Sequence, residues 1–435
     1  MVEEFLSGTV FRKVTFRLMP FLCLVYFFNI LDRANIDFAR LQMLDDVGIS
    51  KFSYGLGAGI FSIGYCVLEV PSNLILSRVG ARRWIARIMI SWGLISAAMM
   101  FVVGPWSFCV LRFLLGCAEA GFFPGIVLYL TYWFPAKQQA RAVALFMVAS
   151  PLTWVVGGPL SGALLDFTHD RGGLAGWQWL FLLEGLPTVI LGVVTLFYLT
   201  DRPAQANWLT PVERSWLTER LASEEEERAG QHGWTLRQAV ADRRVWHLVA
   251  LASTIAFGIS GQSYFFAPLV QDRFASFGSF QIGLLKAVAG IATLLTMLAV
   301  GLHSDRKGER RSHIACAAFL AAAGWGLSIW REMPIASFAG MVLAQSAMMS
   351  MWGPFWSLAT TLLGSRAAAG GIALINAIAN LGAFFGPTLM GWSEAAGDFT
   401  LGLAVMSLAL VLSGVLALCV RPDQQRMDKE KVEER

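Results

Sequence analysis

Charged side chains are scarce in this sequence. Asp, Glu, Lys and Arg make up only 15% of the 435 residues, while 56% of the residues are hydrophobic. Soluble domains carry about 25% charged residues, so this composition excludes an ordinary soluble protein. The formal net charge of +4 arises from basic residues in short loops rather than from a soluble basic face. We therefore expect no nucleic-acid partner.

Several chemical signatures are also missing. The six cysteines lie in apolar segments without C-x-x-C spacing, which favours small buried side chains over disulfides or a metal site. The five histidines lie between the long apolar runs of the sequence or near the ends of these runs. Because the runs are the predicted membrane spans, we expect no metal or haem site inside the membrane. No Walker A sequence is present, which argues against energy from ATP. We expect no metal and no cofactor. If the protein drives an energy-requiring process, we expect the energy to come from an ion gradient, with a proton as the coupling ion.

Long apolar runs dominate what is present. About twelve of them reach the roughly 20 residues that a helix needs to cross a bilayer, which predicts an all-α integral membrane protein. The first run is too long for the apolar part of a signal peptide and no A-x-A site follows it, so we expect it to be retained. The predicted spans are residues 16–39, 52–76, 84–103, 106–130, 142–165, 177–199, 246–269, 280–302, 312–330, 334–358, 369–393 and 399–420.

Basic residues mark alternate loops. Short loops rich in Lys and Arg stay in the cytoplasm, so these positions predict a multi-pass protein with both termini cytoplasmic. The clusters precede the first span or follow the second, fourth, eighth and last spans, and they comprise Arg12, Lys13, Arg17, Arg78, Arg82, Arg83, Lys137, Arg141, Arg306, Lys307, Arg310, Arg311 and Arg421.

Two motifs recur at a constant offset of 228 residues. Gly80-Ala-Arg82-Arg83 is repeated as Gly308-Glu-Arg310-Arg311, and Gly158-Pro159 is repeated as Gly386-Pro387. The repeat predicts two six-helix halves with a substrate site between them. We expect a first half over residues 1–200, a cytoplasmic linker with a surface helix over 201–244, a second half over 245–422 and a cytoplasmic tail over 423–435.

The segment Leu111–Gly125 carries an arginine and a glutamate inside a predicted span. Arg112 and Glu119 are seven residues apart, so they lie on nearly the same face of a helix. A charge at the centre of a bilayer costs roughly 2.5–3.5 kcal/mol on insertion scales and usually faces a wet cavity. The pair therefore indicates a substrate or proton path.

The first span is polar between Asn29 and Asp37, with Asp32 and Arg33 well inside it. One interpretation is purely structural, an ion pair between Arg33 and Asp37 one helical turn apart. The functional interpretation is a carboxylate that takes up a proton beside an arginine that holds an anion, with both side chains exposed to a shared cavity. Arginine suits this role because its planar fork matches a carboxylate.

Neutral polar residues supply the other candidates. Tyr65 in the second span could offer its hydroxyl to a polar ligand, or it could pack or anchor the span at the membrane interface. Glu69 is expected to pair with a basic loop residue rather than with substrate. Asn residues one turn apart in the eleventh span could join helices or contact a ligand, and Lys286 could snorkel to the outer surface without a functional role. The candidate substrate contacts with a neutral side chain are Asn29, Tyr65, Gln262, Trp356, Asn376 and Asn380.

Six longer stretches carry a resemblance to a known family. They are NILDRANIDFARLQM (29–43), FSIGYCVLEVPSNLILSRVGARRWIARI (61–88), RFLLGCAEAGFFPG (112–125), YWFPAKQQARAVALF (132–146), DRPAQANWLTPVE (201–213) and PFWSLATTLLGSRAAAGGIALINAIANLGAFFGP (354–387). The chain resembles the major facilitator superfamily, and within it the tartrate- and phthalate-transporter-like branch of the anion:cation symporters. The resemblance implies a twelve-helix fold with halves related by a pseudo-two-fold axis.

The related proton-coupled galactonate symporter implies a role for each matching residue. Asp32 and Glu119 match its proton-carrying carboxylates, Arg33 matches its substrate arginine, and Arg112 matches an arginine that couples the two sites. Tyr65 and Asn376 match substrate contacts. The superfamily's cytoplasmic gating loops correspond to Arg82, Arg83, Asp305, Arg306, Arg310 and Arg311.

One position departs from the family pattern. Ser77 lies where the first gating loop usually has an acidic residue, which its second-half copy keeps as Asp305. This departure concerns the gating contacts of the first half and leaves the predicted fold unaffected.

Together these features predict a bacterial inner-membrane symporter that imports a small organic carboxylate with protons by alternating access, and that functions as a monomer. Tartrate or a related hydroxy or sugar acid is the first expectation for the substrate. The main alternative is a transporter-like receptor that binds the acid without net flux. A membrane-embedded enzyme would need a nucleophile and base constellation, which the sequence does not offer.

Overall fold

The computed structural model describes residues 2–229 and 236–420, which are largely helical and contain no strand. The predicted cytoplasmic tail, residues 423–435, lies outside the described residues, as does part of the predicted linker. The helices before residue 200 are α1 (Val2–Val47), α2 (Lys51–Val79), α3 (Ala81–Ala98), α4 (Pro105–Glu119), α5 (Phe122–Thr131), α6 (Ala136–Met147), α7 (Ala149–Phe167) and α8 (Gly176–Tyr198).

The remaining helices belong to the linker and the second half. The linker region contains α9 (Pro211–Ala229) and α10 (Leu236–Ala241). The second half contains α11 (Arg243–Ser263), α12 (Phe266–Arg273), α13 (Ser279–Lys307), α14 (Arg311–Ser328), α15 (Pro334–Ser350), α16 (Trp352–Ala395) and α17 (Thr400–Cys419).

Eleven segments of the described chain are long and apolar enough to cross a membrane. The ninth predicted span, residues 312–330, corresponds to α14, which packs against α15 and α17 but is not among the eleven. This helix is only 18 residues long and begins with Arg311, Ser312 and His313, which lower its mean hydropathy. It completes the twelve-helix arrangement because it lies in the bundle beside two spanning helices.

The fourth span is broken next to one of its charged residues. Helix α4 ends at Glu119, and α5 begins at Phe122 after Gly121, whose φ of 84° lies in the left-handed region. Pro124 explains the break, because a proline inside a helix lacks the N–H donor and collides with the carbonyl four residues earlier. The carboxylate of Glu119 therefore lies at a helix end, inside the bundle.

Helix α16 contains 44 residues, about twice the length of one span, and covers the tenth and eleventh predicted spans. A Cβ on Gly371 would lie 2.7 Å from Cδ1 of Leu363, although eight residues rise about 12 Å along a straight helix. The helix therefore bends sharply between these residues, and its second arm runs back through the bundle.

Two glycine crossings join the halves, and they are copies of each other. Helix α2 crosses α16 where a Cβ on Gly55 would collide with the carbonyl oxygen of Pro387. Helix α7 crosses α13 where a Cβ on Gly283 would collide with Gly158 and Pro159. Both pairs are related by the offset of 228 residues found in the sequence. The pseudo-two-fold relation thus holds for the packing between halves as well as for the loop motifs.

Ion pairs and hydrogen bonds also connect the halves near these crossings. We call this end of the bundle the sealed end, and its residues include Lys51, Asp166, Ser279 and Glu394. Arg40 of α1 and Lys51 of α2 both pair with Glu394 of α16. Asp166 of α7 accepts a hydrogen bond from the backbone N–H of Phe280 at 2.8 Å. The two halves are therefore held together at this end.

The linker helix α9 packs onto the first half. Leu209 and Leu217 are buried in the core of that half, and Trp216 contacts Phe11 of α1 with ring centroids 5.6 Å apart. The apolar face predicted for this segment is therefore covered by protein at the start of α1.

Candidate functional site

A cavity of about 290 Å³ lies between the two halves. Residues of α1, α2 and α7 form its wall on the first half, and residues of α11, α13, α15 and α16 form the opposite wall. Small-molecule sites usually measure roughly 300–1,000 Å³, so the cavity suits a small solute. Its location between homologous halves is where the repeat predicts a substrate site.

Arg33 of α1 projects into this cavity. Its Nε donates to Glu119 of α4, and its guanidinium carbon lies 4.9 Å from the ring centroid of Tyr65 and 5.2 Å from that of Phe61. The side chain nevertheless stays 30% exposed, on the cavity surface. The geometry presents a fixed cation to a ligand, with its partner carboxylate on the protein side.

Glu119 is fully buried behind Arg33. Its Oε1 accepts hydrogen bonds from Arg33 and from Nδ2 of Asn29, whereas its Oε2 has no hydrogen-bond partner among the described residues. A buried carboxylate costs free energy unless it is paired or protonated. The pairing with Arg33 therefore compensates the charge of Glu119, while Oε2 is left without a hydrogen-bond partner among the described residues.

Asp32 lies elsewhere, which corrects the expectation that Asp32 and Arg33 share one cavity. Its carboxylate is buried between α1, α3 and α8, where it accepts hydrogen bonds of 2.8–2.9 Å from Trp92, Ser96 and Thr188. It is not among the residues that line the cavity. Successive helical residues are rotated by about 100°, and on α1 this rotation turns Asp32 toward α3 and α8 while Arg33 faces the cavity.

The predicted ion pair between Arg33 and Asp37 is also absent from the described residues, because Arg33 pairs with Glu119. Asp37 instead pairs with Lys286 of α13 at 2.7 Å and accepts the backbone N–H of Ala267 at 3.0 Å. Lys286 is only 4% exposed and lines the cavity. The prediction that it snorkels to the outer surface was wrong, because a buried carboxylate of the other half compensates its charge.

Arg112 is buried on the same helix as Glu119. Its Nη2 donates to the carbonyl oxygen of Ala58 at 3.3 Å, and its Nε has no hydrogen-bond partner among the described residues. Its guanidinium carbon lies 4.8 Å from the ring centroid of Phe61, the ring that Arg33 also contacts. Phe61 therefore lies in contact with both cations.

Glu69 joins the halves near the cavity. Its carboxylate accepts hydrogen bonds from the side chains of Asn376 and Asn380 on α16, so the predicted pairing with a basic loop residue was wrong. Asn380 lines the cavity, and Asn376 is not among the lining residues. Both asparagines thus bond across helices, and one of them also borders the site.

The two remaining candidates from the second half differ in position. Gln262 lines the cavity and donates to Gln345 at 2.9 Å and to the carbonyl oxygen of Met341 at 3.1 Å. Trp356 stacks on Trp352 with centroids 5.9 Å apart, and Trp352 is the one that lines the cavity. Trp356 was predicted as a substrate contact, whereas the tryptophan one turn earlier on α16 is the one at the cavity.

The gating-loop residues lie at the far end of the bundle from the sealed end. Asp305 pairs with Arg310 at 2.7 Å, and Arg311 donates to the carbonyl oxygen of Leu418. In the first half, Asp201 accepts the backbone N–H of Arg82 at 2.8 Å. Arg83 and Arg306 are exposed. The carboxylate of Asp201, at the start of the linker, therefore contacts the first gating loop, in which Ser77 takes the place of the usual acidic residue.

Comparison with known proteins identifies the family. The model of the Major Facilitator Superfamily matches residues 22–387. The chain belongs to this superfamily. An Agrobacterium vitis protein named “Putative tartrate transporter” is 47% identical, with 96% of this chain and 92% of that protein covered. The “Inner membrane transport protein RhmT” of Escherichia coli is 36% identical, with 94% and 95% covered.

Solved structures confirm the fold of this superfamily member. The crystal structure of a D-xylose-proton symporter matches with a TM-score of 0.72 at 15% identity, covering 94% of this chain and 98% of that one. The prediction of a major facilitator fold is confirmed, and so is the prediction of a tartrate-transporter-like branch, given the relatives at 46–47% identity. The chain is a multi-pass membrane transporter, not an enzyme.

Sequence reasoning missed several groups of this transporter. Asp37 was considered only as a partner of Arg33, and Lys286 was given no role. Glu184 is buried in α8 and accepts a hydrogen bond from Ser161 at 2.7 Å, although nothing had singled it out. A charged residue inside a predicted span was the available signal in each case, because such residues are costly in a membrane.

Proposed function

We propose that this protein is a proton-coupled symporter that imports a small organic carboxylate, tartrate or a related hydroxy or sugar acid, by alternating access. The observation that carries the proposal is the pairing of Arg33, exposed to the cavity, with Glu119, buried behind it with one unpartnered oxygen. This arrangement offers an anion-binding cation and a proton-binding carboxylate in direct contact. The name of the A. vitis relative supports tartrate as the first acid to test.

The coupling follows from competition for one guanidinium. While Glu119 is ionised, it occupies Nε of Arg33 and neutralises its charge. When Glu119 takes up a proton, that charge becomes available to a carboxylate ligand. Binding of one proton and one carboxylate leaves the local net charge unchanged, so the loaded site can be closed off inside the membrane at low electrostatic cost while its access changes sides. Release of the proton restores the ion pair and expels the anion.

Asp32 is the second proton site in this proposal. Its three hydrogen-bond donors stabilise the ionised carboxylate, but no cation contacts it among the described residues. Because it lies on α1 directly before Arg33, a change of its protonation can alter how α1 packs against α3 and α8. Arg112, which contacts the ring of Phe61 between it and Arg33, is proposed to link substrate and proton binding.

Alternating access requires that the sealed end open and the far end close. We propose that the far end, which carries the basic loops, faces the cytoplasm and that the sealed end faces outside, as the distribution of basic residues predicts. The present arrangement then corresponds to a state that is closed to the outside. We propose that residues 1–200 and 245–422 move as two units joined by the linker 201–244, in a monomer of the bacterial inner membrane.

The decisive experiment is uptake by purified protein in proteoliposomes. A panel of labelled organic acids is offered with and without an inward-directed proton gradient. The proposal predicts that the gradient drives accumulation of a hydroxy acid such as tartrate, and that a protonophore abolishes this accumulation. Uptake without any response to the gradient would contradict proton coupling. Tight binding without flux under every gradient would favour a receptor that resembles a transporter.

A further inference from the structure

The two charged residues of the cavity wall are both cations, and they belong to different halves. Arg33 comes from α1 and Lys286 from α13, while every other lining residue in the described part of the chain is apolar or neutral and polar. Their carboxylate partners, Glu119 and Asp37, lie behind the wall. A surface with two cations and no carboxylate is complementary to an anion with two negative charges.

The packing of α7 aims Lys286 at the cavity. A Cβ on Gly158 would lie 3.0 Å from Cβ and 3.3 Å from Cγ of Lys286, so the backbone of α7 lies against the lysine stem. The ammonium ends 2.7 Å from Asp37 and 5.0 Å from the ring centroid of Phe38. An ammonium has three donors, and the one hydrogen bond to Asp37 leaves capacity for a second carboxylate.

We propose that Lys286 is the second cationic anchor of the substrate site and determines a preference for dicarboxylates. One carboxylate of the substrate lies on Arg33, and the other replaces or joins Asp37 on Lys286. The inference rests on the proposed function, since it specifies which acids that same site accepts. It also gives the substrate a mechanical role. A dicarboxylate held in this way connects the two halves, which move relative to each other during transport.

A second buried ion pair between the halves provides a matched comparison. Arg40 and Glu394 also connect α1 with the second half, but neither residue lines the cavity. Loss of this pair weakens the sealed end without removing a charge from the cavity wall. Arg40→Gln is therefore expected to change the handling of monocarboxylates and dicarboxylates by the same factor.

The test compares tartrate with threonate, which has the same carbon chain and a hydroxymethyl group in place of one carboxylate. Dissociation constants are measured by calorimetry on the purified full chain. Lys286→Met is expected to weaken tartrate binding by roughly tenfold to a hundredfold, the range for one lost charge-assisted hydrogen bond, with threonate little affected. Lys286→Arg should keep the preference for tartrate. Equal losses for both acids, or no loss for either, would overturn the proposal.

A double variant separates recognition from charge balance. Lys286→Met leaves the Asp37 carboxylate buried without its cation, which could disturb the fold, whereas Lys286→Met with Asp37→Asn removes both charges. The proposal expects the double variant to lack the tartrate preference as well. Recovery of that preference would mean that Lys286 only compensates Asp37, and would overturn the proposal. Failure of the wild-type protein to bind any acid of the panel would instead contradict the proposed function itself.

Discussion

Pro159 lies against Gly283 at one crossing of the two halves, and Pro387 lies against Gly55 at the other, so the repeat is preserved where backbones meet. The same repeat is lost where the charges lie. The positions that correspond to Asp32, Arg112 and Glu119 in the second half are Ser260, Gly340 and Ala347. The symmetric positions thus fix the packing between the halves, and the asymmetric positions hold the buried charges on which the proposed function rests.

The packing explains one of these differences. A Cβ on Gly340 would lie 2.5 Å from the carbonyl oxygen of Gly324, so α14 and α15 cross with no room for a side chain there. The equivalent position of the first half holds the guanidinium of Arg112. The second half instead contributes Lys286 from α13, for which the first half has Ala58 at the same repeat position. Each half therefore supplies its cations from different helices.

The largest effect is expected from Arg33→Ala, because among the described residues Arg33 is the one cation that the first half presents to the cavity. Substrate affinity should fall roughly a hundredfold, the upper end of the range for a lost charge-assisted hydrogen bond. Equilibrium binding of the transported acid measures it. Arg171→Ala, at an exposed loop position, serves as the control and should bind normally. Undiminished affinity in Arg33→Ala would reject its role as the anion anchor.

Glu119→Gln tests whether proton coupling resides in the first half. The amide keeps the size of the side chain but cannot exchange a proton, so accumulation driven by a proton gradient should be lost. Exchange of labelled for unlabelled acid across the membrane should persist, since it requires no net proton movement. Both are measured in the same proteoliposomes. Gradient-driven accumulation at the wild-type level would remove Glu119 from the proton path.

Asp32→Asn is expected to impair accumulation through the packing of α1 against α3 and α8, and not through a contact with the substrate. Its amide nitrogen can take the position that faces the hydroxyl of Ser96, which can also accept a hydrogen bond, so the variant loses the proton site with little change in hydrogen bonding. We expect reduced gradient-driven uptake with substrate affinity nearly unchanged, because Asp32 does not line the cavity. Thermal unfolding in detergent serves as a check on the fold. Wild-type accumulation would show that this carboxylate carries no coupling proton.

The two glycine crossings allow a test of the symmetric part of the comparison. Gly55→Ala and Gly283→Ala each place a methyl group against the backbone of the other half, and each should destabilise the sealed end by about 1–3 kcal/mol. Gly301→Ala is the control, since apart from the adjoining backbone of its own helix no described atom lies within 4 Å of its Cβ position. Thermal stability and accessibility of the sealed end to a cysteine reagent report the effect. A large difference between the two variants would contradict equivalent crossings.

The smallest effect is expected at the linker, outside the membrane. Burial would raise the pKa of Glu213, but hydrogen bonds from the Lys13 side chain and from the backbone and hydroxyl of Thr210 lower it below the ordinary value overall. The stabilisation is thus present above the ordinary glutamate pKa, about 4.3, and is lost as the pH falls. Glu213→Gln should cost no more than about 1 kcal/mol at neutral pH.

Thermal midpoints measured at neutral pH and near pH 3 provide the check for this variant. The difference between wild-type protein and Glu213→Gln should shrink at the lower pH, where the wild-type carboxyl is protonated. A difference that is independent of pH would show that the contact with Lys13 does not contribute through charge.

The sequence by itself determined the order and approximate positions of the membrane-spanning segments, the repeat and the presence of costly charges inside the spans. Each follows from local rules. An apolar run of bilayer length must be helical, and a charge inside a span is costly enough that it usually faces the bundle interior or a cavity. It also indicated that Arg33 faces a cavity. The helical period could not predict which carboxylate pairs with Arg33.

Only the tertiary structure decided the pairing of the charges. Along α1, Arg33 and Asp37 are one turn apart and could pair, yet the bundle supplies Glu119 to the first and Lys286 to the second. The physical reason is that an intrahelical pair is worth only about 0.2–0.5 kcal/mol, whereas an unpaired buried charge costs far more. The partners are therefore set by which helices bring opposite charges together inside the bundle.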